Sequence, residues 1–172
     1  MPEPLKPYSE ISKPDERWAY FKIDLADLHR FSSELSLPKI VPERVRSVFQ
    51  QAQHILVFSY FQYSMIAAAL IQAHIALEAS LRSRWDKEPL PAVPTKKNRK
   101  YSEPGLKKLL EHAVERGWIT SASDELIAAV PDLRNSLAHG SYILDPSGTI
   151  AVLRRCRELI VEVHSERHSG EF

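Results

Sequence analysis

Residues 47–77 carry no Asp, Glu, Lys or Arg; the charges that bracket them are Arg46 and Glu78. A run of this kind has two ordinary fates, a bilayer or the middle of a helical core. A helix that spans a bilayer needs about 20 predominantly apolar residues. Here the most apolar stretch, Ile55 to Ile71, is interrupted by Ser59, Gln62 and Ser64, and the wider run carries Gln50, Gln51, Gln53, His54, Gln72 and His74. That composition favours a helix buried on most sides by other helices, and no membrane partner is expected. Pro42 suits a helix start, where its missing N–H is not needed. The helical pattern then runs from Glu43 to about Asp86, as one helix or as two joined near Phe58–Tyr60.

The rest of the chain supplies partners for such a helix. Trp18, Phe21, Leu25, Leu28 and Phe31 lie near helical spacing and predict a helix over Asp15–Leu35, stopped by Leu37-Pro38. Leu106, Leu109, Leu110, Ala113 and Val114 mark a core-facing helix, with Ser102 as its expected cap and Gly117 as its terminator. Leu126, Val130, Leu133 and Leu137 form one stripe that continues through Pro131, so a single kinked helix is expected there, ending at Gly140. Asp145-Pro146-Ser147-Gly148 reads as a turn, followed by a last helix over about Thr149–Arg167. Residues 87–101 hold three prolines and read as a loop. With only 5 glycines against 12 prolines and no strand pattern, the expected fold is an all-α bundle of five to six helices around a long apolar central one. The 172 residues suit one domain, placed over 15–167, with a flexible Pro-rich tail over 1–14 and a short tail over 168–172.

The segment with most chemistry is Leu133-Arg134-Asn135-Ser136-Leu137-Ala138-His139-Gly140. At 100° per residue the leucines face the core, while Asn135 and His139 point almost opposite, with Asp132 nearby and Arg134 between the two faces. His139 falls in the last turn, where the helix dipole favours a protonated imidazole. Arg134 and His139 are about 140° apart on an ideal helix, so one helix does not gather them into a tight site, whereas two copies paired about a two-fold axis would.

An Arg followed by a polar residue, then a His, on the penultimate helix of a small helical domain, resembles the HEPN family. Arg134, Asn135 and His139 carry that resemblance. It implies a helical bundle that dimerises through its motif helices. It also implies a metal-independent endoribonuclease of toxin or phage-defence type, with RNA as substrate, no cofactor, and an antitoxin or other partner protein. In that scheme His139 is the general acid/base, Arg134 stabilises charge on the phosphorane-like transition state, and Asn135 orients His139 or binds phosphate. Some HEPN relatives are catalytically silent modules that bind a partner protein or nucleotide, and this is the alternative reading. In toxins regulated by a nucleotidyltransferase, a modified Tyr stands two residues after the His; here that position is Ser141, and Tyr142 comes one later.

Glu78, Asp132 and Tyr142 are candidate supporting residues. Glu78 would serve either as a buried partner for Arg134 or in a local pair with Arg82, four residues on. The net charge of +1 argues against broad nucleic-acid binding, but residues 82–108 hold nine basic and three acidic side chains. Arg82, Arg84, Lys96, Lys97, Arg99 and Lys100 there, interleaved with Trp85 and Tyr101, are candidate RNA contacts; a solvated loop is the simpler alternative. Arg154, Arg155 and Arg157 form a second basic cluster. His164 and His168, four apart, lack the carboxylate or thiolate company of a metal site, and Cys156 reads as a small core residue. No Gly-rich phosphate loop, nucleophile elbow or His-Glu-x-x-His pattern occurs, and no metal is expected. A single Cys and a polar N-terminus fit a cytoplasmic location.

Overall fold

The computed structural model describes residues 5–86, 93–94, 101–102, 104–138 and 145–165. These form an all-α helical bundle of seven α-helices: α1 (Glu16–Phe21), α2 (Leu25–Glu34), α3 (Glu43–Phe58), α4 (Met65–Trp85), α5 (Leu106–Glu115), α6 (Asp124–Ala138) and α7 (Pro146–His164). Val93–Pro94 and Tyr101–Ser102 pair as a minimal antiparallel ladder, β1 with β2, across the stretch read as a loop. Ser102 therefore does not cap α5; Gly105 occupies the cap position, without a side-chain bond.

The uncharged run folds as two helices. At its centre Ser59 is fully buried and its hydroxyl donates to the Leu56 carbonyl at 2.6 Å, which helps end α3. After a short turn α4 begins. By length and composition α4 is apolar enough to cross a membrane. In the fold it packs against α3, α5, α6 and α7, and its apolar residues are spread around the helix rather than gathered in one stripe. Ala69, Ala73 and Ala76 are among its buried positions and let neighbouring helices approach closely.

The first helix expected, Asp15–Leu35, is broken in two. Lys22 sits in the left-handed region at φ 54°, and the Ile23 N–H returns to the Trp18 carbonyl at 3.2 Å. Asp24 then opens α2 with a capping box, accepting from the Asp27 N–H at 2.8 Å while Asp27 accepts from the Asp24 N–H at 3.3 Å. Apolar spacing alone runs straight across this break; the Asp24-x-x-Asp27 pattern is the local signal that outweighs it. Lys22→Gly is expected to stabilise the protein by roughly 0.5 kcal/mol in urea titrations, because removing the Cβ relieves the left-handed strain by more than the added chain entropy costs.

The turn expected at Asp145–Gly148 is instead the first turn of α7. Asp145 is the N-cap and accepts from the Gly148 N–H at 2.9 Å, with Pro146 at the first helical position. Gly117 ends α5 as expected, at φ +67°. The helix α6 runs unbroken through Pro131.

Candidate functional site

The site begins with how α6 is held. Before it, Ser123 Oγ accepts from the Leu126 N–H at 3.3 Å. One step earlier, Glu162 of α7 gathers the incoming loop. Its carboxylate accepts from the Thr120 N–H and hydroxyl at 2.9 and 2.8 Å, and from the Ser121 N–H and hydroxyl at 3.2 and 2.6 Å. Partial burial pushes the Glu162 carboxyl up, but these four bonds outweigh it and hold the group below the ordinary value. Arg155 adds a bond to the Ser121 carbonyl at 2.7 Å. Nothing in the sequence pattern announces this clamp, because its partners are about forty residues apart.

With its start fixed, α6 turns Ile127, Val130 and Leu137 into the core, and Leu126 and Leu133 pack against it from partly buried positions. The opposite face carries Asp132 and Asn135, both exposed, with Arg134 partly exposed at the boundary. This is the division expected from the leucine stripe. Arg134 Nη1 approaches Asn135 Oδ1 at 3.4 Å, a long contact. Among the described residues Arg134 forms no ion pair. His139 and Tyr142 lie outside the described residues, as do Lys96, Lys97, Arg99 and Lys100.

Glu78 is not the partner of Arg134. It is held four residues along its own helix by Arg82, at 2.8 Å, and Arg82 also donates to the Pro104 carbonyl at 3.0 Å. An i, i+4 partner on the same helix is already within reach, so the carboxylate needs no partner from another element. Arg84 donates to the Val163 carbonyl and lies over the Trp118 ring at 4.8 Å. Both guanidinium groups are thus committed within the fold. Trp85, a candidate base-stacking side chain, packs edge-on against His112 at 5.1 Å. The second basic cluster is divided as well: Arg154 lies 3.8 Å from Glu34, Arg155 pairs with Glu158 at 3.1 Å, and Arg157 donates to the Ser36 carbonyl at 3.0 Å.

His74 is 1% exposed. Its Nδ1 lies 2.7 Å from the Leu70 carbonyl oxygen, and its Nε2 has no partner among the described residues. Burial lowers the proton affinity of the ring; the Leu70 bond opposes this, and the charge of Arg134 adds to the lowering. Between α4, α6 and α7 this imidazole lines a pocket of about 370 Å³. Cys156 borders the same pocket and is nearly fully buried, with its thiol pushed up to about 12 by burial. His164 Nε2 lies 3.0 Å from Ser80 Oγ. Among the described residues no group of three His, Cys, Asp or Glu side chains gathers to hold a metal.

No family model, no curated protein and no solved structure matches this chain. What the site offers chemically therefore rests on its own geometry. A guanidinium without a carboxylate partner among the described residues stands beside a side-chain amide on the outward part of α6, the pair a phosphate group would meet.

Proposed function

We propose that the protein is a HEPN-like, metal-independent endoribonuclease of toxin or defence type that acts as a homodimer in the cytoplasm. The supporting observation is the state of Arg134: partly exposed, beside Asn135, on the polar side of α6, and not neutralised by Glu78. In this reading Arg134 stabilises the charge that develops on a phosphate, and Asn135 binds it or orients His139. His139 removes the proton from the ribose 2′-OH as its oxygen attacks the adjacent phosphorus. The P–O5′ bond breaks, the leaving 5′-oxygen takes a proton from the acid form of the second subunit's site, and the products are a 2′,3′-cyclic phosphate and a 5′-hydroxyl.

The second reading is a catalytically silent HEPN-like module that binds a partner protein, such as an antitoxin, or a nucleotide. It is favoured by the use of Arg82 and Arg84 inside the fold, which leaves fewer cations to grip an RNA backbone.

One assay separates the two. Labelled RNA is incubated in EDTA with the wild-type protein, Arg134→Ala and His139→Ala. The nuclease reading expects cleavage with cyclic phosphate ends, slowed roughly 100-fold or more by either substitution. Cleavage at an undiminished rate in both variants overturns the assignment of these residues. A folded wild-type dimer that cuts no RNA favours the silent module.

A further inference from the structure

We propose that the groove between α2 and α3 binds a small phosphorylated sugar, with the phosphate on Arg46 and the sugar hydroxyls on serines of α2. This concerns a different part of the fold from α6 and does not rest on the nuclease reading.

Helical spacing brings the polar side chains to one place. Arg46, Gln50, Gln53 and His54 share one face of α3, while His29, Ser32 and Ser33, with Ser36 just beyond the helix, share one face of α2. The two faces are tied together where Ser32 Oγ donates to the Gln53 carbonyl at 3.0 Å and Gln53 Nε2 donates to the Ser32 carbonyl at 2.6 Å. Around that pair lies a groove of about 360 Å³, within the size range of small-ligand sites.

The donors of the groove call for an anion. Arg46 gives its Nε–H to the Val41 carbonyl at 3.0 Å, which fixes the guanidinium but leaves Nη1 and Nη2 without a partner among the described residues. The Gln50 amide and the imidazoles of His29 and His54 line the same space and add N–H donors. No carboxylate lines the groove. Glu43, one turn before Arg46, stands outside the lining, and so does Glu34, which lies 3.8 Å from Arg154. Arg157 of α7 donates to the Ser36 carbonyl at 3.0 Å, so a second guanidinium stands beside the groove. A phosphate, with three terminal oxygens, can take both Nη groups and an amide or imidazole N–H together.

The acceptors define the rest of the ligand. Ser33 Oγ donates to the His29 carbonyl at 2.8 Å, and Ser36 Oγ donates to the Ser33 carbonyl at 2.9 Å. With their protons committed, both hydroxyls present lone pairs, which read ligand O–H groups. Leu37 and Val57 supply the apolar part of the wall, which suits the carbon face of a sugar. Bare phosphate would leave these acceptors and most of the volume unused.

The test titrates the full chain, at one pH and ionic strength, with ribose 5-phosphate, ribose and inorganic phosphate. Calorimetry gives the affinities, and proton–nitrogen NMR follows the backbone amides of α2 and α3. Ribose 5-phosphate is expected to shift these amides saturably and to bind at least about tenfold more tightly than either fragment, since each fragment lacks half of the hydrogen bonds. Arg46→Gln should weaken it about tenfold or more. Because Arg46 also holds the Val41 carbonyl, Gln50→Glu is the second variant: residue 50 is exposed, and a carboxylate there should repel the phosphate with the Val41 bond intact. Ser33→Ala combined with Ser36→Ala should reduce the advantage of ribose 5-phosphate over inorganic phosphate. Inorganic phosphate binding as tightly as ribose 5-phosphate would overturn the sugar, and ribose binding as tightly would overturn the phosphate. The proposal also fails if no saturable shift appears, or if Gln50→Glu leaves the affinity unchanged. A tighter response of the same amides to 2′-O-methyl oligouridylate, which has no 2′-OH to attack, would assign the groove to an RNA backbone instead.

Discussion

Asp15→Ala is expected to cost about 3 kcal/mol of folding stability, measured by urea unfolding at neutral pH. The residue stands at the start of the first expected helix, directly after the stretch expected to be a tail; it is 6% exposed and holds three groups at once. Its Oδ1 caps α1 by accepting from the Arg17 N–H at 3.1 Å. Its Oδ2 accepts from the buried Tyr63 N–H at 3.0 Å, a bond to the turn that precedes α4. The Arg17 guanidinium completes the set, with Nε and Nη2 at 2.8 and 2.7 Å. Removing the carboxylate deletes a helix cap, worth about 1 kcal/mol, and strands a buried N–H, worth about 1–3 kcal/mol. The Asp15 N–H to Tyr60 bond at 2.8 Å and the Trp18 indole bond to the Ser59 carbonyl at 2.6 Å remain, so α1 should loosen rather than detach.

The same residue sets an acid limit. The Arg17 hydrogen bond outweighs burial, and together with the bonds from the Tyr63 and Arg17 N–H groups it holds the Asp15 carboxyl at about 2, below its ordinary 3.8. The unfolded chain therefore takes up the proton first as pH falls. The stabilisation is complete above about pH 4 and is lost as pH drops from there through about 2. The gap in stability between wild type and Asp15→Ala should accordingly narrow over that window. A gap that stays constant down to pH 2 would remove the ionised carboxylate from the explanation.

Leu77→Ala is expected to cost about 3 kcal/mol, against less than about 1 kcal/mol for Ile75→Ala two residues away. Leu77 is fully buried in α4, which packs on four other helices, so truncation opens a cavity that no single neighbour can close. Ile75 is 41% exposed on the same helix and has little packing to lose. The comparison is made by urea midpoints at constant slope. Equal costs at the two sites would mean that α4 is not the centre of the core.

Much of this molecule is legible from local pattern. The leucine spacing of α6 survives Pro131, because helix geometry places Leu126, Val130, Leu133 and Leu137 on one side whatever lies opposite. The exposure of Asp132 and Asn135 follows from the same geometry. The break at Lys22–Asp24 was less visible, since apolar period and capping chemistry point in different directions and the cap prevailed. Of the three motif residues, Arg134 and Asn135 stand on α6, and His139 lies outside the described residues.

Alone, then, the chain determined its helical class, the central place of its uncharged run and the two faces of α6. These depend on periodicity, which acts over a few residues and reads directly from the order of side chains. Only the tertiary structure decided that Glu78 is taken by Arg82 and that Glu162 clamps the loop before α6. It also decided that His74 lines a pocket with one nitrogen unpaired among the described residues. Long polar side chains choose among partners by distances of a few ångströms between helices, and the sequence order of residues some forty apart carries no such distances.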